Sequence, residues 1–137
     1  MTRILPSVLV YLCRHARAAP GDPDELRPLT PEGADDARRL GERLAGLPSP
    51  PTVVLTSPLL RARQTAEAIA RASGVELRIE PLLAPGASAE RFREAVAAWA
   101  PPVATVGHQP DCSEIALVLT GSDPGFPPGG MTAIELG

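Results

Sequence analysis

Apolar residues fall into short runs divided by proline- and glycine-rich punctuation, and the runs alternate between two periods. Val8 to Ala16 is an apolar run that ends abruptly in Arg14-His15. That pattern predicts a short buried strand delivering a cation and an imidazole to the edge of a sheet, where open α/β folds place their sites. Thr52 to Thr56, Val75 to Ile79, Val103 to Val106 and Met131 to Leu136 read as further strands. The segments between them carry helical spacing. Thr30 caps a helix with Pro31 at its first position and Ala37, Leu40 and Leu44 on its buried stripe, running to about Leu47 before Pro48, Pro50 and Pro51 end it. Ser57-Pro58 caps a second helix reaching about Ser73, with Leu60, Ala66, Ile69 and Ala70 inward, Arg61 in its first turn and Gly74 as its stop. Ser88 caps a third, with Phe92, Val96 and Trp99 inward, and a fourth starts at Cys112 or Ser113 and ends at Leu119. Arg17 to Leu29, Pro81 to Ala87 and Gly121 to Gly130 read as loops. Strands alternating with helices predict an α/β fold with a mainly parallel central sheet flanked by helices on both faces. With no internal repeat and no linker, residues 1–137 read as one domain.

Composition narrows the class. Hydrophobic residues make up 44% and charged ones 21%, ordinary for a globular protein, and with few aromatics the core must be built from Leu, Val, Ile and Ala. All 13 basic residues are arginine and the net charge is −3. No basic run exists to neutralise a phosphate backbone, which argues against a nucleic-acid partner. No apolar stretch reaches the roughly 18 residues of a membrane span, and Met1 to Pro6 is too short for a signal peptide. A cytoplasmic location is therefore expected. Cys13 and Cys112 match no zinc spacing and read as buried thiols that could lie near each other.

The two histidines, His15 and His108, both follow apolar runs. A single histidine is more often packed or solvent-facing than reactive. Two at strand ends, one beside an arginine, shift that balance. If the strands are parallel, Arg14, His15, Ser57, Arg61 and His108 converge on one edge. Forked guanidinium donors, imidazoles and a helix start suit a dianion, so the expected ligand is a phosphoryl group. No Walker-type glycine loop is present to hold a nucleotide, and no carboxylate cluster to hold magnesium.

Three segments, in order, carry a family resemblance: Arg14-His15-Ala16, then Ser57-Pro58-Leu59-Leu60-Arg61-Ala62-Arg63-Gln64-Thr65, then Gly107-His108. They resemble the R-H-G, S-P-x-x-R-x-x-Q-T and G-H signatures of the histidine phosphatase superfamily. Arg27-Pro28-Leu29-Thr30 and Gly107-His108-Gln109-Pro110 are most similar to its small SixA-type phosphohistidine phosphatases. The resemblance implies a phosphoglycerate mutase-like three-layer sandwich and a phosphatase that needs no metal and no cofactor. It implies His15 as the nucleophile that becomes phosphorylated, its other ring nitrogen held by an acceptor. Arg14, Arg61 and His108 would bind the phosphoryl oxygens, the two arginines also keeping His15 neutral. Ser57 is either a further phosphate contact or only a helix cap, and Gln64 and Thr65 are expected to serve packing and hydrogen bonding within their helix.

Two departures matter. Alanine follows His15 where the family has glycine, which is tolerable if the backbone there avoids positive φ. The proton donor is unassigned: SixA-type sequences tend to carry a glutamate where Leu82 aligns, whereas here Glu80, the candidate, stands two residues early and Glu90 sits on the next helix. A protonated imidazole leaves without strong acid assistance, whereas an alkyl phosphate needs it. The resulting expectation is a phosphatase for protein phosphohistidine. A phosphatase for a small phosphorylated metabolite and a phosphate-binding module with little activity are the alternatives. Oligomeric state is open.

Overall fold

The computed structural model describes residues 7–137; the reading of Met1 to Pro6 lies outside them. Among the described residues five strands form one sheet: β1 (Val8–Arg14), β2 (Val53–Thr56), β3 (Glu76–Ile79), β4 (Val103–Gly107) and β5 (Met131–Leu136). Four helices connect them: α1 (Pro31–Ala45), α2 (Leu60–Ser73), α3 (Ala89–Ala97) and α4 (Asp111–Thr120). The strand order is β3-β2-β4-β1-β5. β1, β2, β3 and β4 run parallel, and only β5 is antiparallel, along β1.

Alternation along the strands builds two cores. Val10 and Leu12 of β1 point to one face with Val53, Leu55 and Val103, where Phe92, Val96 and Ile115 of α3 and α4 cover them. Tyr11 and Cys13 point to the other with Val54, Ala104 and Val106, beneath Leu40, Leu44, Ala66 and Ile69 of α1 and α2. The result is the mainly parallel, helix-flanked α/β sandwich that the hydrophobic pattern predicts. Small residues let α1 and α2 approach closely: a Cβ on Gly41 of α1 would stand 2.6 Å from the Ala68 carbonyl oxygen of α2. No helix among the described residues is long and apolar enough to cross a membrane.

Several boundaries differ from the sequence reading. β1 stops at Arg14, because the chain must leave the sheet for His15 to stand at its edge. α2 begins at Leu60 with Leu59 as its N-cap and no side-chain cap, so Ser57 is not the capping residue. The buried leucine at that start is Leu59, 7% exposed, while Leu60 is half-buried. α4 starts earlier, at Asp111. Trp99 lies beyond the end of α3, packed on the core edge beneath the Arg78 guanidinium. Thr52 precedes its strand and donates its hydroxyl to the carbonyls of Ala100 and Pro102. Cys13 and Cys112 are both buried and lie near each other, as the sequence allowed: Cys112 Sγ donates to the Cys13 carbonyl at 3.6 Å, although the two side chains belong to cores on opposite faces of the sheet. Burial pushes both thiols up, Cys112 to about 12, so neither is a thiolate at neutral pH.

Candidate active site

The carboxyl ends of β1, β2 and β4, three adjacent strands, bring together the residues that the sequence places at strand ends. Arg14 ends β1 and His15 follows it, Ser57 follows β2, His108 follows β4, and Arg61 stands in the first turn of α2. Backbone bonds knit these ends. The His15 N–H donates to the Gly107 carbonyl, the Ser57 N–H to the Val106 carbonyl, and the Gly129 N–H to the His15 carbonyl. Gly129 has φ +75°, a conformation that favours glycine, and this lets the last loop fold against Ala16. Ala16 itself has no positive φ, so replacing the family glycine there costs no backbone strain.

The His15 ring is half-buried, and its Nδ1 lies 2.7 Å from the Ala16 carbonyl oxygen. A carbonyl can only accept, so Nδ1 is the protonated nitrogen and Nε2 keeps its lone pair. Burial is the first cause that holds the His15 pKa below the usual imidazole value, the nearby Arg61, Arg14 and Arg27 adding to it and the Ala16 bond opposing it. The sequence reading credited the arginines; the larger contribution is loss of water.

His108 is 4% exposed, its ring centroid 5.2 Å from that of His15 with the planes tilted by 56°. Its Nε2 lies 2.7 Å from Ser57 Oγ. Ser57 therefore braces the second imidazole, across from β2 to β4, and its Oγ also accepts from the Leu59 N–H. Burial, then the proximity of His15 and Arg61, lowers the His108 pKa to about 4, so it is neutral at pH 7. His108 Nδ1 and Arg14 Nε are buried polar atoms with no hydrogen-bond partner among the described residues. Arg14 is fixed at its other end by donation from its terminal NH1 to the Phe126 carbonyl.

Thr65 and Gln64 do more than sequence reasoning assigned to them. Thr65 Oγ1 accepts from the Ala16 N–H at 3.0 Å and donates to the Arg61 carbonyl at 2.8 Å, so one buried hydroxyl ties the turn after His15 to the turn bearing Arg61. Gln64 Oε1 accepts from the Leu29 N–H, holding down the end of the loop that spans Arg17 to Leu29. Asp111 was missed altogether: its buried carboxylate accepts from the N–H groups of Gly86 and Ala87 and fixes the loop between β3 and α3. Its position just after Gly107-His108 was the only available signal. In that loop the Glu80 carboxylate accepts from the Leu82 N–H, capping the short 3-10 turn Pro81–Leu83. Leu82 packs against the core.

Among the described residues no group of three or more His, Cys, Asp or Glu side chains could hold a metal ion. What the site does present is an imidazole lone pair ringed by cations and N–H donors.

Comparison with known proteins identifies the family. Residues 10–105 match the model of the histidine phosphatase superfamily (branch 1), and the chain belongs to that superfamily. An uncharacterized protein of Picosynechococcus sp. (strain ATCC 27264 / PCC 7002 / PR-6) is 40% identical over 118 residues, covering 80% of this chain and 72% of that one. Among solved structures, SixA from Agrobacterium tumefaciens superposes with a TM-score of 0.80 at 29% identity, covering 92% of this chain and 90% of that one. SixA from Nakamurella multipartitia gives 0.77 at 27%, covering 96% and 86%. A mycobacterial glucosyl-3-phosphoglycerate phosphatase, at 18% identity and a TM-score of 0.66 over 85% and 81%, shares the fold. The fold is accordingly that of the phosphoglycerate mutase-like family, in its small SixA-type form.

Proposed function

We propose that the protein is a metal-independent phosphatase that works through a phosphorylated His15 and acts on phosphohistidine in a partner protein. The observation that carries this reading is the His15 ring: Nδ1 is spent on the Ala16 carbonyl, leaving a neutral Nε2 beside His108. In the proposed reaction Nε2 attacks phosphorus, the bond from phosphorus to the substrate nitrogen breaks, and the leaving imidazole departs with its proton. Water then attacks the phosphoryl group on His15, releasing phosphate and restoring the imidazole. Arg14, Arg61 and His108 donate to the oxygens on which charge builds, and each such donor contributes about 10²–10³ in rate. A phosphoryl oxygen accepting from the unpartnered Arg14 Nε and His108 Nδ1 would return hydrogen bonds that burial otherwise costs them. Ser57 acts through His108 as its brace.

The substrate class rests on the leaving group. Glu80, the candidate acid, has its carboxylate engaged by the Leu82 N–H. A site without a strong acid suits a leaving imidazole better than an alkoxide, and the similarity to the two SixA structures points the same way. The test is to compare kcat/KM for a phosphohistidine peptide with that for a sugar phosphate, with and without a chelator. Preference for the phosphohistidine peptide, undiminished by chelation, is expected. Preference for the sugar phosphate would reassign the enzyme to small metabolites, and no turnover of either, nor of an activated aryl phosphate, would leave only a phosphate-binding module.

A further inference from the structure

A second group of charges stands over the same sheet edge and has no part in the reaction as proposed. The 3-10 turn Asp24–Leu26 lies in the loop between β1 and α1, and it presents Asp24 to Arg61 twice. Arg61 NH1 donates to the Asp24 backbone carbonyl at 2.9 Å, and NH2 donates to Asp24 Oδ2 at 3.1 Å. The opposite carboxylate oxygen, Oδ1, accepts from Arg27 NH1 at 3.0 Å, and Arg27 Nε donates to the Ala19 carbonyl. Asp24 is thus held from behind by a residue of its own loop while it grips Arg61 from the front.

The exposures of the pair are unequal. The Arg61 side chain is 10% exposed and that of Asp24 57%. An ion pair with so exposed a partner adds little to stability, so fold maintenance does not explain the arrangement. Its geometric effect is larger. A guanidinium carries five N–H donors in one rigid plane. Two are spent on Asp24, through the two terminal nitrogens, and the plane is then fixed about a long, otherwise rotatable side chain. The other three have no protein acceptor among the described residues.

We propose that Asp24 is the positioning residue for Arg61, clamping one edge of the guanidinium so that its remaining donors are aligned on the phosphoryl group before substrate arrives. This rests on the reading of Arg61 as a phosphoryl ligand. The carboxylate also carries a negative charge close to an anion site, which weakens the attraction of Arg61; the net benefit is orientation, gained at a cost in field strength.

Inorganic phosphate and tungstate, bound by the full-length chain and followed by calorimetry, test the clamp without reference to any substrate. Asp24→Ala is expected to weaken both anions about tenfold and to lower kcat on an activated aryl phosphate by a similar factor, as misorientation of a donor does. The melting temperature should fall only slightly, because Arg61 NH1 keeps its bond to the backbone carbonyl of residue 24 when the carboxylate is removed. Asp24→Asn, which keeps an acceptor oxygen, should fall between Asp24→Ala and wild type, and Glu25→Ala in the same turn should bind both anions as wild type does. Wild-type or tighter affinity in Asp24→Ala would overturn the clamp, the tighter value marking Asp24 as a mere obstruction. A wild-type chain that binds neither anion would overturn the phosphoryl site and the clamp together.

Discussion

His15 Nδ1 and the carbonyl oxygen of Ala16, the very next residue, are 2.7 Å apart, so the tautomer of the candidate nucleophile is set by its own backbone. No distant carboxylate is needed for the purpose. The arrangement depends on the turn geometry that follows β1, and the groups that hold that turn become as important as the ring itself.

Thr65 is the chief of these. Thr65→Val keeps the shape but removes the acceptor for the buried Ala16 N–H and the donor to the Arg61 carbonyl. Leaving a buried backbone group unpaired costs about 1–3 kcal/mol. The variant should be less stable to unfolding by that amount and lose more in kcat than it changes in KM, whereas Thr65→Ser should retain most of both. Denaturant titration and steady-state kinetics check the pair.

The two histidines make stability depend on pH with a definite sign. Both are held below their ordinary pKa in the folded chain, His108 at about 4. Between pH 6.5 and 4 the unfolded chain therefore binds more protons than the native one, so stability rises with pH across that window and is lost as pH falls. For His108 alone the full loss is on the order of 3 kcal/mol once both states are protonated. His108→Gln should flatten the profile of unfolding free energy against pH. A profile identical to wild type would show that His108 is not a buried neutral imidazole.

Much of the site was legible because strand ends are marked where apolar runs stop. Arg14, His15 and His108 announced themselves this way, and Ser57 and Arg61 through the motif that follows β2. What composition and spacing could not carry was partnership at a distance. Ser57 looks like a helix cap, since serine before proline at a helix start is a strong local signal, yet its hydroxyl lies against His108, 51 residues on. Asp24 sits in a Pro- and Gly-rich loop, where acidic residues are ordinary, and its relation to Arg61 exists only once α2 packs beneath that loop. Trp99 fitted the helical spacing of α3 but the helix ends at Ala97, two residues before it.

The contact between α1 and α2 gives a prediction about the fold alone. Any side chain at Gly41 would meet the Ala68 carbonyl oxygen, a backbone atom that can move only with its helix. Gly41→Val should destabilise the chain by about 1–3 kcal/mol, the usual cost of overpacking, with β-branching adding to it in a helix. Thermal unfolding of the variant, with phosphate binding checked below the transition, separates this from any effect on the site.

The central claim is that His15 becomes covalently phosphorylated. Rapid quenching under alkaline conditions, where phosphohistidine survives, followed by mass spectrometry of the intact chain and its peptides, measures this most directly. During turnover of an activated aryl phosphate the wild-type chain should gain one phosphoryl group, localised to the peptide bearing His15, and His15→Ala should show neither the adduct nor turnover. Full activity in His15→Ala, or an adduct on any other residue, would contradict it.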